Sequence, residues 1–258
     1  MATPLMYETP QVKLALDKDC LLVDADGTLL DISQRPEYTQ ASRHLLEVLD
    51  QLYYALDGAL AVVSGRRIED LDRLFAPLRL PASGIHGAQI RISPATGIAD
   101  SGAPDVGAPL RRVVFEIAGR HAGVFVEDKG KALAVHWRSA PESASPLYSD
   151  LAAAIANDDA DLSIMRGHCV FEIKSASTTK GDAVRAFMSA PPFSGRRPIF
   201  IGDDVTDIAG IAAAKALGGS AYSVGQMLTG ADGVFASPSQ VRAWLGQLVG
   251  VRAEARSA

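Results

Sequence analysis

The sequence predicts an α/β fold in which helices cover both faces of a parallel sheet and a second domain interrupts this core. Three short apolar runs end in polar residues, and amphipathic helical segments lie between or after them. Continuous apolar strands alternating with helices are typical of a sheet buried on both faces. The middle third has a different order, helix, hairpin, helix, hairpin. We therefore predict a Rossmann-like, doubly wound parallel sheet with an inserted α/β domain, itself an antiparallel sheet plus helices.

The elements of the core follow from two patterns, apolar runs of about four residues and longer segments with helical spacing. The runs predicted as parallel strands are Cys20 to Val23, Leu60 to Val63 and Pro198 to Ile201. The segments predicted as helices are Ala41 to Tyr54, Ile68 to Phe75, Lys180 to Met188, Ile208 to Leu217 and, near the end of the chain, Val241 to Leu248.

The inserted domain follows a segment rich in Gly, Ala and Pro, which we interpret as a linker. Two predicted helices alternate with two predicted hairpins, an order that favours an antiparallel sheet with helices on one face. We place this domain at residues 104–179 and the core at residues 1–103 and 180–258. The linker is Ser101 to Pro109, the helices are Leu110 to His121 and Pro146 to Asn157, and the strands are Val124 to Val126, Leu133 to Trp137, Leu162 to Met165 and Cys169 to Lys174.

Composition argues against several classes of protein. The formal net charge is -5 and no Lys/Arg run is present, which argues against a nucleic-acid surface. No apolar stretch is long enough to span a membrane, and Met1 to Pro10 lacks the basic start and apolar centre of a secretory signal. Cys20 and Cys169 lie in apolar runs, so we expect buried thiols. We expect a cytoplasmic monomer without a nucleic-acid or membrane partner.

Two carboxylates, Asp24 and Asp26, directly follow the first predicted strand and precede a Gly-Thr turn. In an open parallel sheet, ligands bind outside the carboxyl ends of the strands. Two acids this close repel each other unless a cation is bound, so the pair suggests a metal-assisted site. A calcium loop of the EF-hand type is excluded, because Leu29 and Arg35 occupy the positions that need Gly and Glu. On this motif alone, a solvent-facing Asp-Gly turn stays open.

The other strand ends add polar residues to the same edge. If the three strands are neighbours, Asp24, Asp26, Ser64 and Asp203 converge on one crevice. Asp24 and Asp203 could then hold Mg2+, which is commonly bound by one or two carboxylates with substrate phosphate completing the shell. Asp203 and Asp207 are four apart and would share a helix face if the helix begins there. A surface cluster that caps a helix is the alternative for this stretch.

These residue types suit phosphoryl transfer. An aspartate such as Asp24 can attack phosphorus and form an aspartyl-phosphate. Asp26, two residues on, could protonate the leaving alkoxide and then deprotonate water. Ser64 could bind phosphate oxygens through its hydroxyl and the amides of the following helix. Lys180, which opens a predicted helix, could pair with the nucleophile, although a lone lysine is more often on a solvated face.

The motifs Asp24-x-Asp26-Gly27-Thr28, Ser64, Lys180 and Gly202-Asp203-Asp204-x-x-Asp207 occur in this order, and with them the chain resembles the haloacid dehalogenase-like phosphatases. The resemblance runs from about Leu21 to Leu248, and the insertion looks like the α/β cap of those enzymes. Within this superfamily, further segments look like the trehalose-6-phosphate phosphatases: Ser64-Gly65-Arg66, Gly84-Ile85-His86-Gly87-Ala88, Val126-Glu127-Asp128-Lys129-Gly130, His136-Trp137-Arg138 and Phe171-Glu172-Ile173-Lys174.

The resemblance implies a Mg2+-dependent hydrolysis of trehalose 6-phosphate to trehalose and phosphate, with a sugar phosphate as the small-molecule partner. It makes Asp24 the nucleophile and Asp26 the acid/base. The implied Mg2+ ligands are Asp24, the Asp26 carbonyl and Asp203, supported by Asp204 and Asp207. The implied phosphate-binding residues are Ser64, Gly65, Arg66 and Lys180, and the implied sugar-binding residues are His86, Glu127, Lys129, Arg138, Glu172 and Lys174.

Strand parity supports the sugar-binding set independently, because His136 with Arg138 and Glu172 with Lys174 are i, i+2 pairs that would lie on one sheet face. The chain departs from the family at Ile208, where members commonly carry Glu. A contact that this Glu makes with the substrate or with neighbouring residues is therefore not expected here. Three other functions stay open: a related cap-type sugar phosphatase, a phosphosugar mutase, and a phospho-acceptor regulatory domain. A kinase is disfavoured, since no Gly-x-x-x-x-Gly-Lys-Ser/Thr loop is present.

Overall fold

The computed structural model describes residues 9–32, 40–167 and 169–250 in full and the backbone of 251–255. The expected absence of a signal at Met1 to Pro10 falls mainly outside these residues. The chain divides into two compact units, one running up to Ala99 and resuming at Thr179, and the other spanning Asp100–Thr178. No helix in the described part of the chain is long and apolar enough to cross a membrane.

The larger unit contains an eight-stranded sheet in the order β12-β11-β10-β1-β2-β3-β4-β5. The strands from β12 to β3 pair in parallel along this order, and β4 is antiparallel to β3. Their bounds are β1 Asp19–Val23, β2 Leu60–Val63, β3 Ala82–Gly84, β4 Gln89–Arg91, β5 Ala99–Asp100, β10 Arg197–Gly202, β11 Ser220–Val224 and β12 Gly233–Phe235. The helices of this unit are α1 Arg43–Ala55, α2 Ile68–Leu74, α5 Lys180–Met188, α6 Ile208–Ala216 and α7 Pro238–Ala255.

The two central strands are apolar because both of their faces are covered. Every residue of β1 and β2 is buried, and α1 packs with α7 while α5 packs with α6. Helix α1 shows how the sequence builds this layer. Its N-cap Ser42 accepts a hydrogen bond from Leu45 N, and its buried positions Leu45, Val48, Leu49 and Leu52 follow helical spacing. The predicted doubly wound parallel sheet is confirmed.

The smaller unit is an antiparallel sheet of four strands in the order β6-β7-β9-β8, with two helices. One hydrophobic cluster joins the helices to the inward face of the strands, so the sheet has a covered face and a second face with charged residues. The inserted α/β domain is thereby confirmed as a fold class. The bounds are α3 Ala108–Gly119, β6 Phe125–Asp128, β7 Leu133–His136, α4 Ala144–Ala156, β8 Leu162–Gly167 and β9 Val170–Ser175.

Candidate active site

Three carboxylates lie together where neighbouring strands end. Strands β1 and β10 pair with Val23 opposite Ile201, so Asp24 and Asp203 follow them at the same edge of the sheet. Asp24 N extends this ladder by donating to Ile201 O at 2.9 Å. One oxygen from each of Asp24, Asp203 and Asp207 lies within 4.8 Å of the others. The strand order thus brings Asp24 and Asp203 together, as their places at strand ends predicted, and Asp207 from the following turn joins them.

Lys180 lies inside this cluster and not on a solvated face. Its Nζ donates to Asp24 Oδ1 at 2.8 Å and to Asp207 Oδ1 at 2.6 Å. All three side chains are buried. The lysine is the first residue of α5, whose N-cap Thr179 forms a capping box with Asp182. This cap stabilises the start of α5 and so determines where the ammonium group lies.

Asp207 has a different place from the one its spacing suggested. Asp203 and Asp207 would share a helix face only if a helix began at Asp203, but α6 begins at Ile208, as its pattern predicted, and a 3-10 turn over residues 205–207 precedes it. Asp207 Oδ2 instead accepts hydrogen bonds from Asp203 N and Asp204 N, both at 3.1 Å. The Asp207 carboxylate therefore holds the loop that carries Asp203 while its other oxygen contacts Lys180.

At two glycines, the carboxylates of this cluster occupy the space that a side chain would need. A Cβ at Gly27, which has a φ of +78°, would lie 2.0 Å from Asp203 Oδ2. A Cβ at Gly202 would lie 2.2 Å from Asp207 Cγ. Both distances are too short for any side chain. Gly27, in the Asp-x-Asp-Gly motif, and Gly202, the last residue of β10, are thus required, because carboxylates pack directly against their backbone.

The charges of the cluster are unbalanced. Burial, together with the charges of Asp207 and Asp203, raises the pKa of Asp24 well above its ordinary value, although Lys180 acts in the opposite direction. Burial and the charge of Asp207 raise the pKa of Asp203 to about 6. Although burial alone would lower the pKa of Lys180, the charges of Asp207 and Asp24 raise it. One ammonium among three carboxylates leaves a need for a further cation, and an all-oxygen donor set suits Mg2+.

Asp26 takes part in a separate pair. Its carboxylate accepts hydrogen bonds from Arg66 Nε at 2.6 Å and Arg66 Nη2 at 2.7 Å. Such a bidentate pair fixes both side chains. The resemblance implied that Arg66 binds phosphate, and this contact with Asp26 was not predicted. No spacing pattern marks the pair, because 40 residues separate the partners.

Ser64 directly follows β2 and is buried. Its Oγ accepts a hydrogen bond from Arg66 N at 3.2 Å, and its own N donates to Ser83 O at 2.9 Å. These bonds tie Ser64, Gly65 and Arg66 into one tight loop at the same sheet edge as Asp24. His86, predicted to contact the sugar, is buried, and a Cβ at Gly65 would lie 2.5 Å from its Nε2. Its ring therefore lies against this loop.

The charged face of the smaller unit holds two paired sets. Lys129 Nζ donates to Glu172 Oε1 in a largely buried ion pair. Glu127 lies 3.1 Å from His136 Nε2, and this hydrogen bond lowers the pKa of Glu127. The register places Glu127 and Glu172 on either side of Ala134, in one row across the sheet.

Arg138 and Lys174 complete the predicted sugar-binding set. Arg138 is exposed and lies beyond His136, the last residue of β7, so the expected strand parity with His136 does not apply. Lys174 is buried, and its Nζ donates to the carbonyl oxygens of Ser175 and Thr178. Glu172 and Lys174 do share β9.

Comparison with known proteins identifies the family to which this chain is similar. Residues 22–215 match the family described as trehalose-phosphatase. The chain belongs to the trehalose-phosphatase family. The trehalose-6-phosphate phosphatase of Escherichia coli (strain K12) is 38% identical over 249 residues, covering 95% of this chain and 90% of that protein. A probable trehalose-phosphate phosphatase of Sinorhizobium fredii is 38% identical over 229 residues, covering 87% and 84%.

Solved structures agree with this membership at the level of the fold. The C-terminal domain of trehalose-6-phosphate phosphatase from C. albicans superposes with a TM-score of 0.78 at 22% identity, covering 91% of this chain and 92% of that one. A phosphatase of the HAD superfamily from Bacteroides thetaiotaomicron gives 0.60 at 17% identity, covering 90% and 94%. The trehalose-phosphatase family thus accounts for the cap-containing architecture that the resemblance implied.

Proposed function

We propose that this chain is a Mg2+-dependent phosphatase that converts trehalose 6-phosphate to trehalose and phosphate through an aspartyl-phosphate on Asp24. The buried Asp24–Lys180–Asp207 set at the strand ends is the observation that carries the proposal. Membership of the trehalose-phosphatase family supports the substrate. We propose residues 1–103 and 180–258 as the catalytic core and 104–179 as the cap.

In the first step, an oxygen of Asp24 attacks phosphorus, and the bond between phosphorus and the sugar oxygen breaks. Asp26 donates a proton to the leaving alkoxide. In the second step, Asp26 takes a proton from water, the water oxygen attacks phosphorus, and Asp24 is released. Ser64, Gly65, Arg66 and Lys180 hold the phosphate oxygens. Before the substrate binds, the bidentate contact with Arg66 keeps the Asp26 carboxylate in a defined position. When Arg66 turns to the phosphate it releases Asp26, which takes up the proton that it later donates to the alkoxide.

The residues present suit Mg2+. Asp24 and Asp203 would hold it by their carboxylates and Asp26 by its carbonyl oxygen, while Asp204 and Asp207 hold the loop. When bound, the ion neutralises part of the charge of the phosphate and of the carboxylates. Lys180 supplies the remaining positive charge from within the protein and keeps Asp24 oriented by the 2.8 Å hydrogen bond.

We propose that the cap binds the sugar hydroxyls through Glu127, Lys129, Arg138 and Glu172. The pairing of Glu127 with His136 and of Lys129 with Glu172 supports this, because paired charges are oriented before the ligand binds. We leave His86 and Lys174 out of this set, because both are buried against backbone. Ile208 is the first residue of α6. The proposed site therefore lacks the glutamate that family members commonly carry at this position.

A substrate panel tests the proposed function. Phosphate release is measured on trehalose 6-phosphate, sucrose 6-phosphate and glucose 6-phosphate, each with Mg2+ and with a chelator. We expect release with Mg2+ and a clear preference for trehalose 6-phosphate. Equal rates on the three sugars would contradict the specificity. Conversion of a sugar phosphate without release of phosphate would indicate a mutase instead.

We also propose that the protein acts as a monomer in the cytoplasm on a small sugar phosphate and without a nucleic-acid or membrane partner. Cys20 and Cys169 are free thiols, as is usual in a reducing compartment, although only Cys20 is buried as expected and Cys169 is half-buried. Size-exclusion chromatography with light scattering tests the oligomeric state. A mass of twice the chain would contradict it.

A further inference from the structure

The turn at residues 85–87 has an unusual backbone. Ile85 has a φ of +48°, His86 a φ of +51° and Gly87 a φ of +103°. Left-handed conformations are unfavourable for most residues and are a true outlier for a β-branched residue such as isoleucine. Ile85 and His86 are also buried. Backbone strain of this kind persists only where the surroundings enforce it, and it is commonly found at functional sites.

One side of this turn holds the loop of Ser64, Gly65 and Arg66. Ile85 N donates to Arg66 O at 2.9 Å, and His86 N donates to Ser64 O at 3.0 Å. Between these bonds, the imidazole of His86 lies on Gly65, where an added Cβ would meet Nε2 at 2.5 Å and Cε1 at 2.7 Å. The turn therefore contacts three consecutive residues of the proposed phosphate-binding loop.

The other side of the turn contacts the start of α5. A Cβ at Gly87 would lie 2.6 Å from Thr179 O, so only glycine allows this approach. Thr179 is the N-cap of α5, and Lys180 is the next residue. Lys180 in turn donates to Asp24 and Asp207. A displacement of Thr179 by a larger residue at position 87 would thus move the ammonium group relative to the nucleophile.

We propose that residues 85–87 form a brace that sets the separation between the Ser64–Arg66 loop and Lys180. His86 is in this view a positioning residue that acts through Gly65 and does not contact the sugar. The inference rests on the proposed function, because it deepens the role of the same site. The left-handed backbone is needed because it lets one short turn donate two amides to the loop and still bring Gly87 against Thr179.

Kinetics on two substrates test the brace. The variants His86→Ala, His86→Asn and Gly87→Ala are compared with the wild type on trehalose 6-phosphate and on p-nitrophenyl phosphate, which has no sugar. We expect kcat of His86→Ala and Gly87→Ala to fall by about tenfold or more on both substrates, because small misplacements of reacting groups are costly. We expect His86→Asn to retain more activity, since asparagine tolerates the left-handed region.

The opposite pattern would overturn the brace. If His86→Ala raises KM for trehalose 6-phosphate and leaves p-nitrophenyl phosphate unaffected, His86 contacts the sugar. If the wild type hydrolyses only p-nitrophenyl phosphate, the proposed sugar is wrong, but the aryl phosphate still tests the brace. A wild type inactive on both would overturn the proposed function and the brace together.

A double-mutant cycle gives a second test, which measures the Gly65–His86 contact directly. Gly65→Ala should lose activity because the new methyl group meets the imidazole. In Gly65→Ala/His86→Ala the ring is gone, so we expect more activity than the product of the two single losses. If the loss in the double variant equals the product of the two single losses, the Gly65–His86 contact has no role in activity and the brace is overturned. Gly97→Ala is the control, because no heavy atom lies within 4 Å of its added Cβ, and its activity should match the wild type.

Discussion

A single buried ammonium group determines the electrostatics of the site at the scale of residues. Lys180 contacts two of the three clustered carboxylates, so two negative charges are uncompensated when all four groups are ionised. Burial, and after it the charges of the neighbouring carboxylates, raise the pKa of Asp24 and of Asp203. The metal-free site is therefore unfavourable for stability at neutral pH, which is common where function requires like charges.

Asp24→Asn tests the nucleophile. We expect kcat to fall by at least about 1000-fold, because an amide does not replace a nucleophilic carboxylate. The fold should persist, because asparagine has nearly the same shape and the change removes an unfavourable charge. Phosphate release and thermal unfolding are measured side by side. An active Asp24→Asn enzyme would remove Asp24 from the proposed role.

Asp203→Asn tests the charge imbalance through stability. The folded pKa of Asp203, about 6, lies above its unfolded value of 3.8, so the folded state holds the proton more tightly. Stability of the metal-free wild type should therefore decrease as pH rises from about 4 to about 6. At pH 7, with a chelator, we expect Asp203→Asn to raise the free energy of unfolding by about 1–3 kcal/mol.

Chemical denaturation of both proteins at pH 4 and pH 7 checks this expectation. The two stabilities should approach each other at pH 4, where Asp203 is protonated in the folded protein and so resembles the uncharged asparagine. Mg2+ should stabilise the wild type more than the variant, since ligand binding to the folded state adds to stability. A variant that is less stable at pH 7 without metal would contradict the proposed imbalance.

At the scale of secondary-structure elements, the site is formed by residues at the ends of strands and helices. Strands β1 and β10, the cap of α5 and the 3-10 turn before α6 each contribute one charged residue. The apolar pattern and the polar strand ends predicted β1, β2 and β10 well. Strands β3, β4, β5, β11 and β12 were not predicted. Four of them are runs of two or three residues, which carry no periodicity and are held by their neighbours, and β11 (Ser220–Val224) mixes serines with apolar residues and so lacks a continuous apolar run.

Gly202→Ala tests the close packing at the end of β10. The added methyl group would meet the Asp207 carboxylate, which holds both Lys180 and the Asp203 loop. We expect a loss of stability of about 1–3 kcal/mol and a lower kcat. Gly246→Ala in α7 is the matched control, because no heavy atom lies near its added Cβ. It should be neutral or stabilising by up to about 1 kcal/mol. Equal effects at both glycines in unfolding and kinetic assays would contradict this packing role.

The whole molecule has two units, each with its own hydrophobic cluster. This division separates the proposed tasks, with phosphate chemistry in the larger unit and sugar binding in the smaller. The inserted domain was visible in the sequence as a change in the order of elements. Its charged pairs were not, because Lys129 and Glu172 are 43 residues apart and meet only through the pairing of β7 with β9.

Two matched truncations test the separation. Ile173 and Leu22 are fully buried, one in each cluster. Each change to alanine should cost about 2–5 kcal/mol of stability. We expect Ile173→Ala, next to Glu172, to impair hydrolysis of trehalose 6-phosphate more than that of p-nitrophenyl phosphate. Leu22→Ala, in the strand that leads to Asp24, should impair both alike. The reverse pattern in kinetic assays would contradict the assignment of tasks.

The sequence by itself determined the fold class, the insertion and the chemistry at the strand ends, because periodicity and residue type are local properties. Only the tertiary structure decided which groups pair. Asp24 and Lys180 are 156 residues apart, and Asp26 with Arg66 or Gly65 with His86 meet only after the strands have assembled. Such contacts depend on how distant segments pack, and the packing decides which of the predicted charged residues can act together.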